Sequence, residues 1–235
     1  KHLTSESKDT FQEIKNVYQE SLNQKSISPK LLIKIKNFME NLRSALDFTA
    51  HGIFNKYGDH SKSDQNIYFP YAWGGLDLNG FRSKNSIEKC IPGLNNTRPD
   101  IVAKIESYQH FSNASNYWLP KFMELNNKNK HQRLTPQTRK EVKELRISSG
   151  NVGMNLSGGA SIKIFGNAQI RMGNAIIDGN QTISPDSPAQ IFGPAKQEVI
   201  TWISFHFTDN NEPVVPLLKK FLDGIESIVD ELSKM

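Results

Sequence analysis

Along the first half of the chain apolar residues recur at helical spacing, and along the second half they alternate with polar ones. Phe11, Ile14, Tyr18 and Leu22 mark one face of an amphipathic helix. The segment "KSISPKLL" stops that helix and starts another, with Ser28 suited to the N-cap and Pro29 to the first helical position. Leu31, Ile35, Phe38, Leu42, Ala45, Leu46, Thr49 and Ile53 then form the longest apolar stripe, ending near residue 55. Phe48 and Phe54 fall outside the stripe, which implies cover on more than one face at this end. Two helices joined by so short a turn predict an antiparallel helical hairpin.

Residues 56–97 read as a long loop, rich in Gly, Asp, Asn and Pro. Within it, "NIYFPYAW" is an apolar island expected to dock on the hairpin. A loop of this length in a compact domain packs over a site or carries function. Helix returns at Pro99, with Ile101, Ile105 and Tyr108 on one face, and again near Pro120.

From residue 140 the period becomes two. "VKELRIS", "ASIKIFG", "AQIRMGNAII" and "EVITWISFHF" read as strands separated by turn residues. "SIKIFGNAQIRM" predicts a hairpin turned at Gly166–Asn167. "WISFHF" sets Trp202, Ser204 and His206 against Ile203, Phe205 and Phe207, the two-sided pattern of a central strand with a structural His206. Val215, Leu218, Leu222, Ile225 and Val229 mark a closing helix. The expectation is an α+β protein. A helical bundle over 1–138, with its loop at 56–97, precedes an antiparallel sheet and C-terminal helix over 139–235, the two packed as one unit.

Charge changes this picture in one place. The net charge is +5. Between Lys121 and Arg146 lie eight Lys/Arg and three Glu, so this stretch holds the whole excess. Such a stretch attracts polyanions, and Lys128, Lys130 and Arg133 are the candidate nucleic-acid contacts. No apolar run is long enough to cross a bilayer. The lone Cys90 rules out a disulfide within the chain and points to a reducing cytoplasm. The polar N-terminus shows no signal peptide. No cofactor motif is present, neither G-x-G-x-x-G nor a Walker loop, so no cofactor is expected.

Candidate chemistry gathers on the long helix, where Arg43, Asp47 and His51 stand four residues apart in one row. With Leu42 at zero they lie at roughly 100°, 140° and 180°, drifting from the stripe's edge to the far side. The segment "LNNKNKHQRL" adds His131 and Arg133 where a later helix ends. One expectation is a single cluster in which His51 and His131 share acid and base roles, with Arg43 and Arg133 stabilising phosphoryl charge. A structural Arg43–Asp47 pair is the plainer alternative. A metal site of Asp47, His51 and His131 is a third. Cys90 sits in no nucleophile motif and reads as buried.

"LRSALDFTAHGIF", "FPY", "IPGL" and "LNNKNKHQRL" together resemble a group of uncharacterised bacterial proteins. These carry an L-R-x-A-L-D helix and a later N-x-K-H-R segment, and the likeness covers residues 31–135. The helical half also resembles the HEPN superfamily of small helical ribonucleases and nucleic-acid-associated domains. That family's signature sets an Arg shortly before a His on one helix. Here seven residues separate Arg43 from His51, and His131 precedes Arg133. The resemblance implies RNA binding or metal-independent RNA cleavage, with Arg43, Asp47, His51 and His131 as the catalytic set. A non-catalytic module that docks a partner protein or a second copy through its sheet is the competing class.

Overall fold

The computed structural model describes residues 2–24, 27–62, 66–131, 136–208 and 211–235, without the side chains of His2, Lys130, His131 and Trp202. The chain divides into a helical unit, residues 1–138 and 206–235, and a strand-rich unit, residues 139–205.

The expected hairpin opens the helical unit as α1 (His2–Gln24) and α2 (Pro29–Tyr57). Ser28 caps α2, its Oγ accepting the N–H of Lys30 at 3.2 Å, and Pro29 occupies the first turn. The rings of Phe11 and Phe38 lie 5.9 Å apart between the two helices.

The inner face of α1 is more polar than the apolar pattern predicts. Thr4, Ser7 and Ser21 are buried beside Phe11, Ile14 and Val17, whereas Tyr18 and Leu22 are only half-buried. Small hydroxyls enter this face because the backbone serves them: Ser7 Oγ donates to Leu3 O at 2.8 Å, and Ser21 Oγ accepts Ser28 N–H at 3.4 Å. On α2 the stripe is buried except at Thr49, which is half-buried, and is widened by Met39 and Ala50. Of its two outlying rings only Phe54 is covered; Phe48 is 67% exposed.

The segment 56–97 is not one long loop. It carries α3 (Leu78–Ser83), α4 (Ser86–Cys90) and α5 (Leu94–Thr97). Each is too short to show a period and each anchors through one buried residue: Phe81, Ile87 and Leu94. Next come α6 (Pro99–Ser107), a 3₁₀ turn (Ala114–Tyr117) and α7 (Trp118–His131).

The last helix, α8 (Val214–Leu232), packs on α1, α2 and α7, and so belongs with the helices rather than with the sheet that precedes it. Phe221 meets Phe122 of α7 edge-on at 5.3 Å. Gly224 allows a second close approach, since a Cβ there would stand 2.3 Å from the Trp118 ring.

In the strand-rich unit β1 (Gln137–Ser149) pairs antiparallel with β2 (Val152–Ser157), and the three-stranded order is β2–β1–β7, with β7 spanning Lys196–Phe207. Among the described strands β7 is therefore at an edge, not central as its two-sided pattern suggested. Its inward Phe205 and Phe207 are fully buried. Short pairs complete the unit: β3 (Ile162–Lys163) with β6 (Thr182–Ile183), and β4 (Gln169–Met172) with β5 (Ala175–Asp178).

The hairpin expected at Gly166–Asn167 does not form. Gly173–Asn174 makes the turn instead, just as Gly150–Asn151 joins β1 to β2. Both glycines have positive φ, 57° and 59°, at the first central position, as a type II′ turn requires. Gly-Asn is thus the right order for these turns. Gly166, by contrast, has its N–H taken by Asn180 Oδ1 at 2.6 Å. Leu145, Ile147, Leu156, Ile164, Met172, Ile177 and Ile183 form this unit's own core.

Candidate functional site

Residues 67–73 run through the helical unit as neither helix nor strand, and their burial pattern decides what they display. Ile67, Phe69 and Ala72 are buried. Tyr68 is 47% and Trp73 56% exposed, and Tyr71 is half-buried. The apolar island thus docks inward as expected and presents an aromatic ridge outward.

Two polar side chains hold this segment through its backbone. Asp47 Oδ1 on α2 accepts the N–H of Phe69 at 2.9 Å. Gln109, fully buried just beyond α6, accepts the N–H of Ala72 through Oε1 at 2.8 Å. Its Nε2 donates to the carbonyls of Pro70 and Ile105 at 3.3 and 3.0 Å. A segment without ladder partners needs such contacts, because its buried backbone groups would otherwise be unsatisfied.

Arg43 completes the arrangement. Its Nε donates to Asp47 Oδ2 at 2.9 Å, it also contacts Met123 Sδ, and its guanidinium lies 5.8 Å from the Tyr71 ring. The two carboxylate oxygens of Asp47 therefore have separate tasks, one toward the ridge and one toward Arg43.

Beside the ridge lies a groove of about 380 Å³, bounded by Arg43, Tyr68, Tyr71, Trp73, Lys84, Lys89 and Cys90 among others. Three cations line it and no carboxylate does. Lys84 Nζ stands 4.2 Å from the centre of the Trp73 ring, a cation–π contact. Among the described residues neither Lys84 nor Lys89 has a carboxylate partner. α3, which ends just before Lys84, is braced to α6 by a two-pronged ion pair, Arg82 Nε and Nη2 to the Glu106 carboxylate at 2.7 and 2.6 Å. Burial pushes the Cys90 thiol up, outweighing the opposing charge of Arg43, so the sulfur stays protonated at neutral pH and is a poor nucleophile.

Across the ridge a second cavity of about 500 Å³ is bounded by Tyr71, Trp73, Gly74, Tyr117, Pro120, Lys121, Glu124, Asn127 and Lys128. Its cations are partnered: Lys121 pairs with Glu212, and Lys128 Nζ lies 2.9 Å from Glu124.

Of the residues expected at a site, Arg43 and Asp47 are joined. His51 stands one turn further along α2, half-buried, and is not among the residues lining either cavity. His131 closes α7, but its side chain, that of Lys130 and all of Arg133 lie outside the described residues, as does the proposed meeting of His51 with His131. Among the described residues no three His, Cys, Asp or Glu gather as metal ligands.

Among the described residues most cations of the basic stretch 121–146 are paired with carboxylates. Besides the two pairs above, Arg139 binds Glu141, Lys143 binds Asp186 and Arg146 binds Glu144. Lys84 and Lys89 carry positive charge without a carboxylate partner among the described residues, and a count along the sequence passes over them because Glu88 stands beside Lys89. Glu88 is turned away, its Oε1 accepting the N–H of Gly93 at 2.8 Å. The signal that could have found the ridge was the alternation within "IYFPYAW".

No helix among the described residues is long and apolar enough to span a membrane. Compared with protein-family models, with curated proteins and with solved structures, the chain matches none.

Proposed function

We propose that the helical unit is a HEPN-like domain of bacterial type that binds single-stranded RNA in the groove beside the aromatic ridge. One observation carries the reading: Lys84 and Lys89, and with them Arg43, which pairs with Asp47, line that groove together with Tyr68, Tyr71 and Trp73, and the lining itself holds no carboxylate. Positive charge that follows a phosphate backbone, interleaved with rings on which bases stack, is how single strands are held without sequence readout. Binding rather than cleavage is the function proposed, because among the described residues lining the groove none is a histidine. In this reading Asp47 is a positioning residue for the ridge, and Arg43 both positions and contacts.

The test is fluorescence anisotropy of a labelled twelve-nucleotide RNA. Replacing Lys84 and Lys89 by Glu should weaken binding at least tenfold, while the same reversal at Lys219 and Lys220 on α8 changes little. Affinity should fall with salt at a log–log slope of about −0.7 per neutralised phosphate, so about −2 for three contacts. Trp73→Ala should cost on the order of tenfold through lost stacking. Absence of binding at low salt, or equal effects of the two charge reversals, overturns the reading and leaves a protein-docking module. A DNA strand of equal length shows whether the sugar is discriminated.

A further inference from the structure

We infer that the RNA strand crosses the Trp73 ridge and occupies both cavities, so that the ligand is a run of several nucleotides rather than a single nucleotide or a strand end. This rests on the RNA-binding reading and adds to it a path and a length.

The two cavities share a wall. Tyr71 and Trp73 line both, while Lys84 lines only the first and Tyr117 only the second. Lys84 covers the Trp73 ring from the first side, at 4.2 Å. The indole is nevertheless 56% exposed, which leaves it area for a base on the second side. An aromatic wall between two compartments suits a splayed strand, with one base packed on each side.

The second compartment has the parts to continue the track. Tyr117 is half exposed, at 50%, and offers another stacking surface. Lys121 lies 6.0 Å from that ring, and Lys128 stands on the same wall. Gly74 lines this compartment too and lets Tyr117 come close, since a Cβ there would stand 3.0 Å from the Tyr117 hydroxyl.

The charge differs between compartments in a way that sets their roles. The first is lined by Lys84 and Lys89, which have no carboxylate partner among the described residues, and by Arg43, which pairs with Asp47; the second is lined by Lys121 and Lys128, paired with Glu212 and Glu124. Phosphate attraction is therefore concentrated in the first, and the second adds mainly stacking. A short oligomer fills the first and gains nothing from the second.

Anisotropy with labelled oligouridylates of two to twelve nucleotides tests this. Affinity should rise with length until both compartments are filled and then level off. Tyr117→Ala should weaken the twelve-nucleotide strand roughly tenfold and leave the dinucleotide unchanged. Lys128→Ala should act in the same direction, with melting midpoints unchanged to show intact folding. Length-independent binding, or equal weakening of short and long strands by Tyr117→Ala, overturns the two-compartment path while leaving RNA binding in place. Failure of every length to bind removes both.

Discussion

Asp47 and Phe69 are joined by a hydrogen bond of 2.9 Å between positions 22 apart, from the N–H of Phe69 to the carboxylate of Asp47. This contact gives Asp47 a structural task, holding the backbone of the aromatic segment. Asp47→Ala removes the acceptor from a part-buried N–H and the partner from Arg43, at an expected cost of about 1–3 kcal/mol. The melting midpoint and RNA affinity should fall together. Asp47→Asn keeps a carbonyl oxygen for Phe69 but turns an NH2 toward the Arg43 Nε donor, and should recover part of both. If Asp47 served proton transfer in a cleavage site, Ala and Asn would abolish cleavage alike, with stability unmoved. Thermal melts and binding isotherms on the two variants, with a labelled-RNA cleavage assay, separate these cases.

The same pair shows what the sequence could disclose. The row of Arg43, Asp47 and His51 is legible because helical spacing is local, and so is the capping of α2 by Ser28 and Pro29. That Asp47 reaches position 69, and that Gln109 holds Ala72 and Pro70, depends on where an irregular segment passes the helices, which no period encodes. Lys84, just past the end of α3, and Lys89, on α4, were hidden for a similar reason: these helices are shorter than two turns. The basic run 121–146 stood out in sequence, yet its cations find carboxylates both nearby, as Arg146 finds Glu144, and far away, as Lys121 finds Glu212. Charge counted along a chain does not reveal which charges face one another.

A second prediction concerns Gly224, which occupies the middle of α8, where glycine normally weakens a helix. Ala should gain about 1 kcal/mol from helix propensity. The Cβ would, however, stand 2.3 Å from the Trp118 ring, and overpacking costs about 1–3 kcal/mol. Gly224→Ala should therefore lower the melting midpoint. Combined with Trp118→Leu, which frees the space, the same alanine should be neutral or stabilising relative to Trp118→Leu alone. Stabilisation by Ala in the wild-type background would show that the ring yields easily and that the close approach of α7 and α8 is soft.

The last prediction is a pH dependence, centred on Glu231 of α8. Lys104 pairs with its carboxylate, the Ser227 hydroxyl donates at 2.8 Å and the Tyr108 hydroxyl at 3.0 Å. These partners, Lys104 first, hold the carboxyl down to about 2 from an ordinary 4.5. Because the folded value lies below the unfolded one, the contribution to stability is complete above about pH 5. It declines as pH falls through the interval and is gone near pH 2. With 38% of the side chain exposed, water screens the pair, so about 1 kcal/mol is expected at neutral pH rather than the full linkage value. Glu231→Gln should accordingly be less stable than wild type by about that amount at pH 7. The difference should shrink between pH 5 and pH 2, as the wild-type carboxyl takes up its proton. Urea denaturation of both proteins at four or five pH values measures it. A constant difference down to pH 2 would mean that Glu231 contributes through packing and neutral hydrogen bonds, and that the Lys104 pairing between α6 and α8 adds nothing.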